Sequence, residues 1–157
     1  MSEWDIVVRV VVAALLGGLV GFDREARDKP AGIRTHAMVA AGAALFVGAS
    51  VLVSLDLESG GSQSARIDAS RVTAGVVTGI GFLGAGSIIR RDGSVSGLTT
   101  AAGIWTVAAV GVAIAYGYWW VGLGGTTVVL LIQAADFLAH RTGFGVDATP
   151  TDDDPDP

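Results

Sequence analysis

Five long runs of this chain are nearly free of charge: Ile6–Phe22, His36–Leu55, Val72–Ile89, Leu98–Tyr116 and Tyr118–Leu138. No other feature constrains the fold as strongly. A helix rises about 1.5 Å per residue, so roughly 20 apolar residues cross a hydrocarbon core of about 30 Å. Each run approaches that length, and a helix satisfies its own backbone polar groups where lipid cannot. The sequence therefore predicts an all-α fold, a polytopic transmembrane helical bundle of about five spans. The bundle occupies residues 1–141, and an acidic, Pro-rich, disordered cytoplasmic tail follows over 142–157. Composition agrees with this reading. Charged residues make up 16% of the 157 residues, against about a quarter in a soluble domain. The 23 glycines suit close packing between membrane helices.

Several function classes fall away. There is no cysteine, hence no disulfide, thiol nucleophile or Cys-based zinc site. The formal charge of −5 offers nothing to nucleic acid. Lys29 is the sole lysine, while aspartates are frequent outside the apolar runs. That acid-rich, Lys-poor surface suits high salt and points to a halophilic source. Met1 to Asp5 carry no base ahead of the first apolar run, so that run is expected to be retained and not cleaved as a signal peptide. No Gly-x-Ser-x-Gly elbow occurs. Gly79-x-Gly81-x-x-Gly84 has the letters of a dinucleotide fingerprint, but it sits inside a membrane-length run. The acidic residue due about 20 positions on is replaced by an apolar stretch near Ile104. His36 and His140, the two histidines, stand at the inner ends of two spans and read as interfacial groups. No enzyme activity and no cofactor are expected; Mg²⁺ is the one ion to weigh.

Basic residues set the predicted orientation. With five spans, one side receives Arg24, Arg27, Lys29, Arg34, Arg90, Arg91 and Arg141, and the other only Arg66 and Arg71. This places the N-terminus outside and the C-terminus in the cytoplasm. Trp4 and the cluster Tyr116, Tyr118, Trp119 and Trp120 then form an outer aromatic belt. Arg9, one turn into the first span, is expected to snorkel outward or to pair with Asp5.

Between the first two runs lies a charged knot, with six charges in the seven residues Asp23 to Lys29. If the first helix continues, Asp23 meets Arg27, Arg24 meets Asp28 and Glu25 meets Lys29, each at i,i+4 and worth about 0.2–0.5 kcal/mol when exposed. Pro30 disfavours helix at Lys29, Gly32 permits a turn, and Thr35 is a candidate N-cap for the second span. Further on, Asp92-Gly93 marks a turn, and Ser96 or Thr99 is a candidate cap for the fourth span. Thr99 and Thr100 are candidates for interhelical hydrogen bonds. Gly17-x-x-x-Gly21 and Gly75-x-x-x-Gly79 supply small faces for helix packing.

Together these stretches resemble the MgtC/SapB family of bacterial and archaeal inner-membrane proteins. The resemblance is carried by Gly21, Asp23-Arg24-Glu25 and Lys29-Pro30-Ala31-Gly32-Ile33-Arg34-Thr35-His36. It continues in Gly81-Phe82-Leu83-Gly84-Ala85-Gly86 and in Gly97-Leu98-Thr99-Thr100-Ala101-Ala102 with Trp105. It covers the chain from about Leu15 to Leu138, and Ile33 stands where Leu is usual. The resemblance implies a multi-pass domain of the plasma membrane linked to magnesium homeostasis and intracellular survival. It implies a regulator of other membrane proteins, ATP synthase among them; the alternative is a direct Mg²⁺ or cation transporter or channel. Asp23, Arg24, Glu25, Lys29, Pro30, Gly32, Arg34, Thr35 and His36 would form a cytoplasmic-face motif. Gly81, Phe82, Gly84, Gly86, Gly97, Thr99, Thr100 and Trp105 would form a helix-packing motif. Carboxylates suit Mg²⁺, which makes Asp23, Glu25 and Asp28 the candidate ligands. Several members carry a cytosolic C-terminal domain of ferredoxin-like, ACT-type fold, and here an acidic tail follows Arg141. The expected partners are the lipid bilayer and either a membrane-protein complex or further copies of the chain. Three expectations follow: Arg24, Glu25 and Arg34 form an ordered network, the chain carries no Mg²⁺ flux, and spans one or three mediate association.

Overall fold

The computed structural model describes residues 1–59, 68–91 and 94–141. Five helices run in the order α1 (Glu3–Glu25), α2 (Ile33–Ser59), α3 (Ala69–Gly86), α4 (Leu98–Ala115) and α5 (Trp119–Arg141), with strands β1 (Ile89–Arg91) and β2 (Ser94–Ser96) between α3 and α4. The acidic tail, the Asp92-Gly93 turn, most of the Ser/Gly-rich loop before α3, and the side chains of His140 and Arg141 lie outside the described residues.

Helices α1, α2, α4 and α5 are long and apolar enough to cross a membrane. Helix α3, diluted by Arg71 and five glycines, is not among them. It nonetheless lies antiparallel along α4. Near one end of the pair the Thr73 and Tyr116 hydroxyls are 2.8 Å apart. Near the other, a Cβ on Gly84 would lie 3.6 Å from Ala101. At 18 residues, or about 27 Å, α3 covers the same depth as its neighbour.

Contacts along the helices fix an up-and-down bundle. Gly21 meets Gly32 and Gly48 meets Ile6, so α1 and α2 are antiparallel. Gly122 meets Ile114, so α4 and α5 are antiparallel. One end of the bundle thus gathers the α1–α2 turn, the β-hairpin, the start of α4 and the last turns of α5. The other end carries Trp4 and Trp120, 77% and 85% exposed, beside Tyr116 and Trp119. The two groups of basic residues flanking the described spans, Arg24 to Arg34 and Arg90 to Arg91, do share one end.

The core is small and dry, built on Ala13, Val20, Ala40, Ala44, Val47, Val107, Val110 and Ile114. Large apolar side chains face outward on all five helices, among them Leu15, Phe46, Phe82, Trp105 and Leu131. Such a surface is unstable in water and ordinary in lipid. Tight backbone contact replaces bulky packing in the interior. A Cβ on Gly17 would come within 2.5 Å of the His36 carbonyl oxygen, and one on Gly111 would overlap the Ala40 carbonyl oxygen.

Several boundaries differ from the sequence reading. Ser2 caps α1 in a box with Asp5, whose carboxylate accepts from the Ser2 amide at 2.7 Å. Arg9 therefore turns elsewhere: Nη1 donates to the Ala115 carbonyl at 2.5 Å, and the guanidinium lies 5.9 Å from the Trp119 ring centroid. Asp68 caps α3, accepting from the Ser70 amide at 2.9 Å. Hydrogen bonding from the Ser70 side chain and backbone holds the Asp68 carboxyl below the usual carboxylate range. α3 stops at Gly86, and Ile89 leaves the predicted third span to pair with Ser96 in the hairpin. Gly97, and neither Ser96 nor Thr99, precedes α4. It is left-handed at φ 87° and makes no side-chain capping bond.

Candidate functional site

The knot is ordered because α1 ends inside it. The Lys29 amide reaches back to the Arg24 carbonyl at 3.0 Å while Asp28 sits at φ 52°. This is the 6→1 closure of a Schellman-type helix end, with Asp28 in the left-handed place usually held by Gly or Asn. Ala31 is also left-handed, at φ 58°, so the turn's unusual backbone lies at Asp28 and Ala31 and not at Gly32. Breaking the helix there removes two of the three expected ion pairs. Asp23, in the last turn of α1, and Arg27, just past its end, remain four residues apart and meet at 2.6 Å. Arg24 and Glu25 are redirected.

Arg24 turns into the bundle and is 5% exposed. Its Nη2 donates to the Thr100 hydroxyl at 2.6 Å and to the Pro30 carbonyl at 3.1 Å, with Nε 3.4 Å from the same carbonyl. One guanidinium therefore ties α1, the turn and α4 together. The Glu25 carboxylate instead accepts the Ile33 amide at 2.9 Å, which starts α2 two residues ahead of Thr35. Thr35 lies within the first turn of α2 and is not its cap. Glu25→Ala is expected to cost about 1 kcal/mol, the usual worth of a helix cap, measurable as a lower unfolding midpoint in mixed micelles. Glu25→Gln should recover part of it.

His36 is fully buried, contrary to an interfacial reading. Its Nδ1 is 3.0 Å from the Gly32 carbonyl, which can only accept, so Nδ1 carries a proton. Nε2 is buried with no hydrogen-bond partner and faces Gly103, where a Cβ would lie 3.2 Å away. Gly32 is small for a separate reason: a Cβ there would collide with the Glu25 carboxylate.

Above Arg24 opens a cleft of about 640 Å³ with charged residues in its walls. Asp23, Arg24, Arg27, Lys29 and Pro30 form one wall, Ser96 to Thr100 the second, and Ile132, Gln133 and Asp136 the third. Arg27 closes a corner, donating from Nη1 to the Gln133 carbonyl at 2.8 Å with its guanidinium over the Phe137 ring. Of the residues assigned to the cytoplasmic-face motif, Asp23, Arg24, Lys29 and Pro30 line this cleft. Glu25, Gly32 and His36 do not line it; they hold the α1–α2 turn and the start of α2 through the Glu25–Ile33 and His36–Gly32 bonds. Arg34 is exposed, and Arg24 and Glu25 bond separate groups, Pro30 with Thr100 and the Ile33 amide, with no bond between the three charged side chains among the described residues.

The second motif divides. Thr100 is buried against Arg24, and Thr99 is exposed on the cleft wall. Gly84 packs on Ala101, while Gly81 and Gly86 meet nothing within 4 Å. Phe82 and Trp105 are 81% and 51% exposed and face outward. Gly17 and Gly21 pack α1 on α2, whereas Gly75 and Gly79 have open space around them. For a metal, Asp23 is engaged by Arg27 and Glu25 by a backbone amide. Among the described residues no three His, Asp or Glu converge. Residues the sequence reading passed over are Gly103, whose missing side chain admits the imidazole, and Gln133. Neither carries a local signal, because each matters only through a helix distant in sequence.

Comparison with known proteins extends this picture. The chain is 41% identical over 128 residues to YhiD of Escherichia coli (strain K12), whose name describes it provisionally as a magnesium transporter. That match covers 82% of this chain and 59% of YhiD. It is 44% identical over 139 residues to SrpB of Synechococcus elongatus, covering 83% of this chain and 74% of SrpB. It is 40% identical over 130 residues to MgtC of Salmonella typhimurium, covering 83% of this chain and 52% of MgtC. The chain thus spans little more than half the length of YhiD and MgtC. No solved structure matches it. The sequence profile of the MgtC family matches residues 10–141, a segment that takes in the knot, the cleft and most of the bundle. That extent, with the identity to three named relatives, means that this multi-pass protein of the cell membrane belongs to the MgtC family.

Proposed function

We propose that the chain is a regulator, without enzymatic activity of its own, that acts on a partner membrane complex in magnesium homeostasis. The charged end of the bundle faces the cytoplasm and is the surface the partner meets. ATP synthase is the partner that the family resemblance implies. The observation that carries this reading is the sign of the buried charge. Where a divalent cation would leave the cleft for the bundle interior stands the Arg24 guanidinium, with apolar core beneath it. A fixed cation at that level repels Mg²⁺, and Mg²⁺ seeks carboxylate and water oxygens. The second reading, direct Mg²⁺ transport, is favoured by the name of YhiD and by Asp23 and Asp136 on the cleft wall.

Liposomes containing the purified chain and an Mg²⁺ indicator separate the two. Mg²⁺ influx is expected to equal that of protein-free liposomes. Saturable influx that is lost in Asp23→Asn would establish transport instead. In native membranes a photo-crosslinker placed at exposed Arg34 is expected to capture subunits of a larger membrane complex; labelling of lipid alone would argue against a partner at this face.

A further inference from the structure

The same cleft has the chemistry of an anion site, and we infer that it binds a phosphate group, whether free or on a lipid headgroup. Three features converge there. First, α4 begins at the cleft without a cap: Gly97 is left-handed and offers no side chain. Among the described residues no protein acceptor reaches the Leu98, Thr99 or Thr100 amides. Those three amides, with the positive end of an 18-residue helix dipole, form a ready cradle for an anion.

Second, Arg24 is a cation nine-tenths buried on the cleft wall with no carboxylate in ion-pair range. Its bonds to Pro30 and Thr100 use Nε and Nη2. Nη1 donates to no protein atom among the described residues, and among them no carboxylate lies within 4 Å of the charge, which Asp23 tempers only from further away. A buried guanidinium left uncompensated is costly, and an oxyanion removes that cost with bidentate geometry. Lys29, exposed at the rim, adds a second cation that makes no ion pair among the described residues.

Third, Gln133 lines the same cleft, and its Oε1 is buried without a hydrogen-bond partner among the described residues. Rotation about its last bond exchanges oxygen for NH₂, which supplies one more donor. The acidic groups do not outweigh these. Asp23 is paired with Arg27 at 2.6 Å, and the cleft lining holds three cations, Arg24, Arg27 and Lys29, against two carboxylates, Asp23 and Asp136. Val95, Leu98 and Ile132, each at least half exposed on the lip, give a headgroup's acyl chain a surface to lie on.

The inference stands apart from the regulatory reading, since binding is measured on the purified chain with no partner present. Inorganic phosphate is titrated calorimetrically into the chain in uncharged detergent. Separately, phosphatidylglycerol retention is read by native mass spectrometry from mixed phosphatidylglycerol–phosphatidylcholine nanodiscs. Lys29→Glu, at an exposed position that leaves the fold intact, is expected to weaken binding about tenfold. Arg34→Gln, outside the cleft, should leave it within about twofold. Phosphate binding without lipid enrichment assigns the site to a free anion, and the converse assigns it to a headgroup. Binding of neither probe, or equal losses in the two variants, overturns the inference. Arg24→Gln should abolish binding while a circular dichroism spectrum confirms retained helix.

Discussion

Gly21→Val is expected to cost the fold roughly 3 kcal/mol, the upper range for overpacking a tight interior. The reason is that the atoms in the way belong to backbone. A Cβ on Gly21 would lie 2.5 Å from the Gly32 carbonyl oxygen and 2.7 Å from the Ile33 Cα, and neither can rotate aside. To admit valine, α1 must withdraw from the start of α2. That movement also strains the Glu25 bond to the Ile33 amide and the Arg24 bond to the Pro30 carbonyl. The comparison is Gly79→Val on α3, where nothing lies within 4 Å of the added carbon. Denaturation in mixed micelles, followed by circular dichroism, should show a large loss for the first and little change for the second. Equal losses would mean that helix propensity, and not the α1–α2 contact, governs both.

A second large effect is expected at Gly97. Alanine there takes the cost of a left-handed residue, about 1–2 kcal/mol, and its Cβ collides with the Ser87 carbonyl oxygen. The sum should reach roughly 3 kcal/mol. Gly97 pins the end of α3 to the beginning of α4, so the variant also displaces the amides that face the cleft. Unfolding midpoints should fall for Gly97→Ala. Thr99→Ala, two residues on and exposed, should change them by no more than about 0.5 kcal/mol. A Gly97→Ala protein as stable as the parent would show that the left-handed turn is dispensable.

The crossings were legible because apolar runs of membrane length admit few structures, and α4 and α5 begin within a residue of the limits the runs suggest. The knot was legible as a special place but not as a set of contacts. Counting four residues forward pairs Arg24 with Asp28 only while the helix continues, and nothing local announces that Asp28 adopts φ 52° and ends it. Thr35 has the side chain of a cap, yet a carboxylate eight residues before Ile33 takes the role, a bond made by the path of the turn. His36 packs closely on Gly103, on another helix, where a Cβ would lie 3.2 Å from Nε2. The hairpin escaped notice because β1 and β2 are three residues each, and Ile89 reads equally well as the end of an apolar span. Gly75 and Gly79 have the spacing of a packing face, but spacing does not say whether the neighbour belongs to the same chain.

Arg9 and Arg24 lie fifteen residues apart on α1, about 22 Å along its axis. One holds the last carbonyl of α4 and the other the hydroxyl of its third residue. The two arginines act as rivets at opposite ends of one strut. If α1 slid past α4 by a helical turn, about 5.4 Å, both rivets would have to break together. Sliding of α1 along α4 is thereby resisted at both ends of the pair at once.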